Sequence, residues 1–210
     1  NEWEAAQRIL FHYSPQPRFD FKSQKNIPTK KQYAELILFT LCFLLHKSGE
    51  LFSLNGAGIS FNNNADHIEK MASYLSLSHD GDNSPVIASN NTKSIPVIID
   101  DFLGPIETVR QNIMAACAGS KDGYVIQILD PAEIDFPYEG HIEFSDFASQ
   151  ESITFSKTQS IRDEYLKRFH AHQDAVLKIC RNLGLSYHLC VTSHDPKIDM
   201  MHIIQAMSEK

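Results

Sequence analysis

The stretch IPVIIDD, Ile95 to Asp101, carries five apolar residues in a row and ends on two carboxylates. A short apolar run bounded by turn residues is the mark of a strand buried on both faces. It breaks at Gly104-Pro105, and the spacing after it predicts a helix over 106–118. Gly119 to Gly123 then turns the chain into a second strand over 124–129. Strand, helix, strand is the repeating unit of a parallel sheet. Upstream, Arg8 to Tyr13 (RILFHY) reads as a strand stopped by the rigid Ser14-Pro-Gln-Pro17 loop. A helix follows over 29–47, with Leu36, Ile37, Thr40, Phe43 and Leu44 as its apolar face and Ser48-Gly49 at its end. Leu51 to Leu54 is a buried strand, 66–77 a more polar helix, and 79–93, rich in Asp, Asn, Ser and Gly, a flexible connection.

Downstream, the short pieces 142–144 and 153–155 predict a hairpin excursion from the main sheet. Ser160 and Asp163 have the spacing of a helix-start capping pair. The helix they open would place Ile161, Tyr165, Phe169, His172, Val176, Ile179 and Leu183 on one face, close at Gly184, and run about 35 Å. A last strand over 187–192 and a helix over 198–207 complete the chain. The predicted fold class is therefore α/β: a mostly parallel, doubly wound sheet of Rossmann type flanked by helices. It forms one domain over residues 1–210 with a small β-hairpin excursion at about 138–156. In such folds ligands and partners meet the carboxyl ends of the strands. Those ends are Ser14 to Arg18, Asn55-Gly56, Asp100-Asp101, Asp130 to Glu133 and Thr192 to Asp195.

The 210 residues include 19 Lys and Arg against 26 Asp and Glu, a formal charge of −7. That balance, without a basic block, argues against a sequence-independent nucleic-acid binder, which must neutralise phosphates. Cys42, Cys117, Cys180 and Cys190 lie apart in apolar surroundings rather than in CxxC pairs, so they are expected to be free thiols in a reducing, cytoplasmic setting. The longest apolar run, 34–45, is too short to cross a bilayer. The chain opens at Asn1 without a Met. It therefore reads as a piece of something longer, whose other parts could hold a membrane anchor.

Two strand ends are acidic: Asp100 and Asp101 after one strand, Asp130 and Glu133 after the next. Carboxylates from neighbouring strands can share a hard cation. The plainer alternative is that Asp130 caps the turn at Pro131 while Asp100 or Asp101 caps the helix after Pro105 or accepts loop N–H groups. His170 and His172, two residues apart on a helix, lie about 200° apart and cannot share a metal. No Ser stands in a GxSxG setting, no Cys beside a His, and Asn55-Gly-Ala-Gly58 lacks the remainder of a dinucleotide or phosphate loop, so it reads as a tight turn.

VIIDDFLGP over 97–105, QILDPAEIDFP over 127–137, Phe144-Ser-Asp146, and the long helix with Arg162, Tyr165, His172 and Gly184-Leu-Ser-Tyr187 together resemble a bacterial family, the one catalogued as domain of unknown function 58. Even Glu2 to Gln7 resembles the lead-in to the first strand in alphaproteobacterial members. Members of that family look like von Willebrand factor A domains. The resemblance implies a first-strand Asp-x-Ser-x-Ser motif that holds a divalent cation with a later Thr and Asp. Here Ser14 stands at the Asp position, Gln16 and Arg18 at the two Ser positions, Phe19 where Met is usual, and Asp101 at the later Asp. A guanidinium within about 4 Å of a dication would cost several kcal/mol per unit charge at an effective dielectric near 20. The motif is thus expected to be degenerate and to hold no metal, with Arg18 pairing to Asp100, Asp101 or Asp130 in the ion's stead. The alternative is a relaxed Pro15/Pro17 loop with solvated charges.

The expected function is non-catalytic protein–protein interaction, with Ser14, Gln16, Arg18, Asp100, Asp101, Asp130 and Glu133 at the binding surface and no cofactor. The resemblance implies a MoxR-type AAA+ ATPase as partner, with no nucleic acid and no membrane insertion by this segment. Two rival functions remain: a Mg²⁺-dependent adhesion-type module, and a metal-dependent hydrolase built on Asp100, Asp101, Asp130 and Glu133.

Overall fold

Alternation along β3 (Ile95–Asp100) sorts its side chains between two cores, Val97 and Ile99 to one and Ile98 to the other. β4 (Tyr124–Leu129) repeats the pattern, with Tyr124, Ile126 and Ile128 opposite Val125. A strand greasy on both faces must be covered on both faces. The computed structural model describes residues 6–77, 94–138, 142–145, 152–155 and 158–209, and it shows that covering.

β1 (Arg8–Tyr13), β2 (Leu51–Leu54), β3, β4 and β7 (Ser186–Val191) form one five-stranded sheet in the order β2-β1-β3-β4-β7. Every pairing in it is parallel. On one side, α1 (Lys30–Ser48), α2 (Ala65–Leu77) and α6 (Pro196–Ser208) share the larger core with Phe11, Phe52 and Ile126. On the other, α3 (Ile106–Ala116) and α5 (Thr158–Asn182) close a smaller core around Ile113, Val125, Val176 and Cys180. β5 (Ile142–Ser145) and β6 (Ser152–Phe155) pair antiparallel as a separate two-stranded sheet, the expected excursion. The connection over 79–93 lies outside the described residues. All four cysteines are free, and among the described residues no helix is long and apolar enough to cross a membrane.

Two local expectations are corrected. Leu36, Phe43 and Leu44 are exposed, and α1 instead buries Tyr33, Ala34, Ile37, Leu38, Leu41, Cys42 and Leu45. Between Tyr33 and Leu45 every residue of α1 except Glu35 and Thr40 is apolar, so hydrophobic spacing offers several faces. Polar anchors settle its rotation: Tyr33 Oη donates to the buried Asp199 at 2.7 Å, and Lys30 is buried. Ser160 does not cap α5, because the helix already runs from Thr158 and Ser160 lies within it. On the expected α5 face Phe169 and Val176 are buried, and Gly184 stands at φ 70° beyond the helix end, while the Ile161 side chain lies outside the described residues.

Gly123, just before β4, packs against two neighbouring strand entries. A Cβ there would stand 2.9 Å from Pro96 Cγ, 3.0 Å from Leu185 Cδ2 and 3.3 Å from the Pro96 carbonyl oxygen. Gly123→Ala should therefore destabilise the fold by roughly 1–3 kcal/mol, the range for overpacking. Chemical denaturation would read this as a lower midpoint at unchanged slope.

Candidate functional site

The sheet order places its switch point between β1 and β3, where connections leave in opposite directions and a crevice opens at the strand ends. β1 leads through the Ser14-Pro-Gln-Pro17 loop into a single 3-10 turn over Pro17–Asp20. Phe19 in that turn is fully buried and meets Tyr13 edge-on at 6.0 Å, which fixes the turn and delivers Arg18 over the end of β3. Asp100 ends β3 there and Asp101 follows it. The chain then reverses at Phe102, whose φ of 51° is rare for a bulky side chain. Two bonds hold that reversal. Gln127 Nε2 donates to the Asp101 carbonyl at 2.7 Å, and His172 Nε2 to the Phe102 carbonyl at 2.6 Å. Tyr187 Oη, donating to Gln127 Oε1, fixes the amide in turn.

Arg18 Nε donates to both oxygens of Asp101, at 2.9 and 2.8 Å, and Nη2 donates to Asp100 Oδ1 at 3.0 Å. A second cation completes the cluster. Lys30 Nζ lies 3.0 Å from Asp101 Oδ2 and 2.6 Å from Glu133 Oε1, with its side chain 1% exposed and that of Asp101 0%. Both cations also lie over the Phe19 ring, at 5.9 Å for Arg18 and 5.6 Å for Lys30. Three carboxylates thus face two cations across the turn after β1, the start of α1, the end of β3 and the short helix α4 (Pro131–Asp135).

Burial and then the neighbouring Asp101 push Asp100 from its ordinary 3.8 up to about 6, against the pull of Arg18. Burial raises Glu133 as well, against Lys30. Burial weighs against the charge of Arg18, but Asp100 and Asp101 outweigh it and hold the guanidinium firmly protonated. The sign for Asp100 follows from linkage. Its folded form binds a proton more tightly than its unfolded form, so its contribution to stability falls as pH rises from about 4 through about 6. Asp100→Asn should then match or exceed wild type at pH 7 by up to about 1 kcal/mol, discounted for a side chain 29% exposed. Urea unfolding at pH 7 and pH 4 should show the advantage fading at the lower pH.

Asp130 and Glu133 follow the plainer reading. They form the capping box of α4, with Asp130 Oδ1 accepting from Ala132 N at 2.8 Å and Glu133 Oε2 from Asp130 N at 2.8 Å. Asp130 Oδ2 also accepts from Ser23 N at 2.9 Å. Asp101 Oδ1 accepts the loop N–H of Leu103 at 3.2 Å, while Pro105, with no side-chain cap, precedes α3. Ser14 is exposed, and neither Ser14 nor Gln16 joins the cluster through its side chain among the described residues. His172 turns inward and His170 outward, as their spacing predicts.

Beside the cluster lies a cleft of about 310 Å³, with Arg18, Lys30, Asp101 and Glu133 on its floor and Phe21, Leu103, Phe136, Tyr138 and Tyr165 around it. Tyr165 reaches it from α5, donating to the Glu133 carbonyl at 2.7 Å, with its ring tilted 35° to that of Phe136 at 4.6 Å between centroids. Lys30 is the residue that sequence reasoning missed. A signal was present: Lys30 follows the Thr29 cap at the positive end of the α1 dipole, where a cation is disfavoured unless carboxylates compensate it.

The family described as "Protein of unknown function DUF58" matches residues 1–175. The chain belongs to this family. The DUF58 chain is also 29% identical over 112 residues to the uncharacterized proteins Rv1480 of Mycobacterium tuberculosis H37Rv and Mb1516 of Mycobacterium bovis, a match covering 53% of this chain and 35% of each relative. It is 27% identical over 114 residues to the uncharacterized protein MAV169 of Mycobacterium avium, covering 54% of this chain and 66% of that protein. The DUF58 chain thus spans about a third of the first two and under two thirds of the third. No solved structure matches it.

Proposed function

We propose that this DUF58 chain is a von Willebrand A-like, non-catalytic adaptor whose strand-end surface docks a protein partner without a metal ion. One observation carries this reading. Where the resemblance puts a divalent cation, Asp101 already holds two fixed protein cations, the Arg18 guanidinium and the buried Lys30 ammonium. This donor set does not fit a divalent ion: binding one at Asp101 would bring two permanent positive charges within a few ångströms of it. Ser14 and Gln16, at the positions of two motif ligands, also stay outside the cluster. A hydrolase needs carboxylates converging on a shared ion and a free base. Here Asp101 and Glu133 converge on Lys30 instead, and Asp130 is committed to N–H groups.

The proposed partner is a MoxR-type AAA+ ATPase, and its support is the family resemblance alone. Affinity capture from the source cell, with wild-type chain beside Arg18→Asp, tests it. The ATPase should be retained by the wild type and lost with the variant, and its absence from both baits would sink the partner assignment. Calorimetric titration with Mg²⁺ or Mn²⁺ should show no saturable heat. Micromolar saturable binding would favour the cation-dependent adhesion module.

A further inference from the structure

The walls of the strand-end cleft are apolar and aromatic, supplied by Phe21, Leu103, Tyr138 and Tyr165, while Arg18 and Lys30 reach its floor. Hydrogen-bonding capacity on that floor is unevenly used. A guanidinium carries five N–H donors and an ammonium three. Arg18 commits Nε–H to Asp101 and one Nη2–H to Asp100, and Lys30 commits two hydrogens to Asp101 and Glu133. The Nη1 pair, the second Nη2–H and the third Lys30 hydrogen have no partner among the described residues. Every carboxylate oxygen of Asp101 and Glu133, by contrast, already accepts at least one hydrogen bond. The cleft has donors left over and its acceptors engaged.

Charge narrows the ligand further. Asp100, Asp101 and Glu133 outnumber Arg18 and Lys30, so an incoming carboxylate meets net negative charge. An incoming ammonium or guanidinium meets unpaired donors of its own sign. A neutral acceptor, such as a peptide carbonyl, satisfies both conditions, and the walls suit an apolar side chain beside it.

We infer that the cleft binds an uncharged, apolar peptide segment of the partner protein, with a main-chain carbonyl accepting from Arg18 and a side chain against Leu103, Tyr138 and Tyr165. This rests on the adaptor reading of the same surface. The test is an amide-shift NMR titration of the whole chain with N-acetyl-leucyl-phenylalaninamide and with analogues carrying Glu or Lys in place of Leu. The neutral probe should give saturable shifts at the Leu103 and Ala132 amides, and each charged analogue should bind at least about fivefold more weakly. Arg18→Met should weaken the neutral probe about tenfold. Because Arg18 also anchors Asp101, Leu103→Ser serves as a second variant outside the ion cluster, and it should weaken binding severalfold in a chain that unfolds at the wild-type midpoint. No saturable shift, tighter binding of either charged analogue, or an undiminished affinity in Leu103→Ser overturns the inference. Probe binding without capture of the ATPase leaves the cleft assignment standing and removes the partner; capture unaffected by Leu103→Ser, with no probe binding, does the reverse.

Discussion

Asp101→Asn is expected to lose about 3–5 kcal/mol of folding stability, the range for breaking a buried pair by removing one partner. The substitution keeps shape and removes only charge. Asp101 is 0% exposed and accepts from Arg18 Nε, Lys30 Nζ and Leu103 N. An asparagine at that point would offer one carbonyl oxygen in place of two carboxylate oxygens and turn its NH2 toward a cation. Lys30, 1% exposed, would keep Glu133 as its one counter-ion, and Arg18 would keep Asp100. For a chain of this length the loss corresponds to a fall in Tm of about 6–20 °C. Equilibrium unfolding in urea measures it directly. A loss below about 1 kcal/mol would mean that the two cations do not depend on Asp101, and the reading of the cluster as a fixed internal ion site would go with it.

That prediction stands on a geometry only partly legible in the sequence. The sheet could be read because its signal is physical and local: apolar runs such as 95–99 and 124–129 can be satisfied only with cover on both faces, and helical segments between them force parallel crossovers. Arg18 was legible only through the family resemblance, which sets it at a cation-ligand position opposite Asp101, where a permanent positive charge has to be compensated. Lys30 was not. Helical periodicity assigns a lysine at a helix start to solvent, and only the fold shows that the first turn of α1 lies against β3 and α4. The inverted face of α1 has the same origin. Its apolar spacing is degenerate, and the polar contacts of Tyr33 and Lys30 that select one rotation lie 166 and 71 residues away in sequence. The capping box at Asp130 and Glu133 was visible as a spacing, yet Glu133 serves two roles, accepting from Asp130 N through one oxygen and from Lys30 through the other.

Lys30→Met is expected to be as damaging as the loss of Asp101, about 3–5 kcal/mol, although methionine suits a buried site of this length. The damage arises from what the ammonium leaves behind. Asp101 keeps Arg18, so its charge stays paired. Glu133 loses its cation while burial already raises its pKa, and Lys30, more than the Asp130 N–H, holds that rise in check. The sign of the pH dependence follows. With the folded pKa of Glu133 raised further, the variant binds a proton on folding, so its deficit against wild type should shrink as pH falls through that pKa and be largest at neutral pH. The double variant Lys30→Met/Glu133→Gln removes both charges, leaves Asp101 with Arg18, and should lose less than the sum of the two single variants. Unfolding midpoints for wild type, both singles and the double close a thermodynamic cycle, and coupling of about 1–3 kcal/mol is expected between two residues in direct contact. Additive losses would mean that Lys30 acts by filling space. A coupled, pH-dependent recovery would mean that it acts as a tethered ion, joining α1 to β3 and α4 at the edge of the cleft.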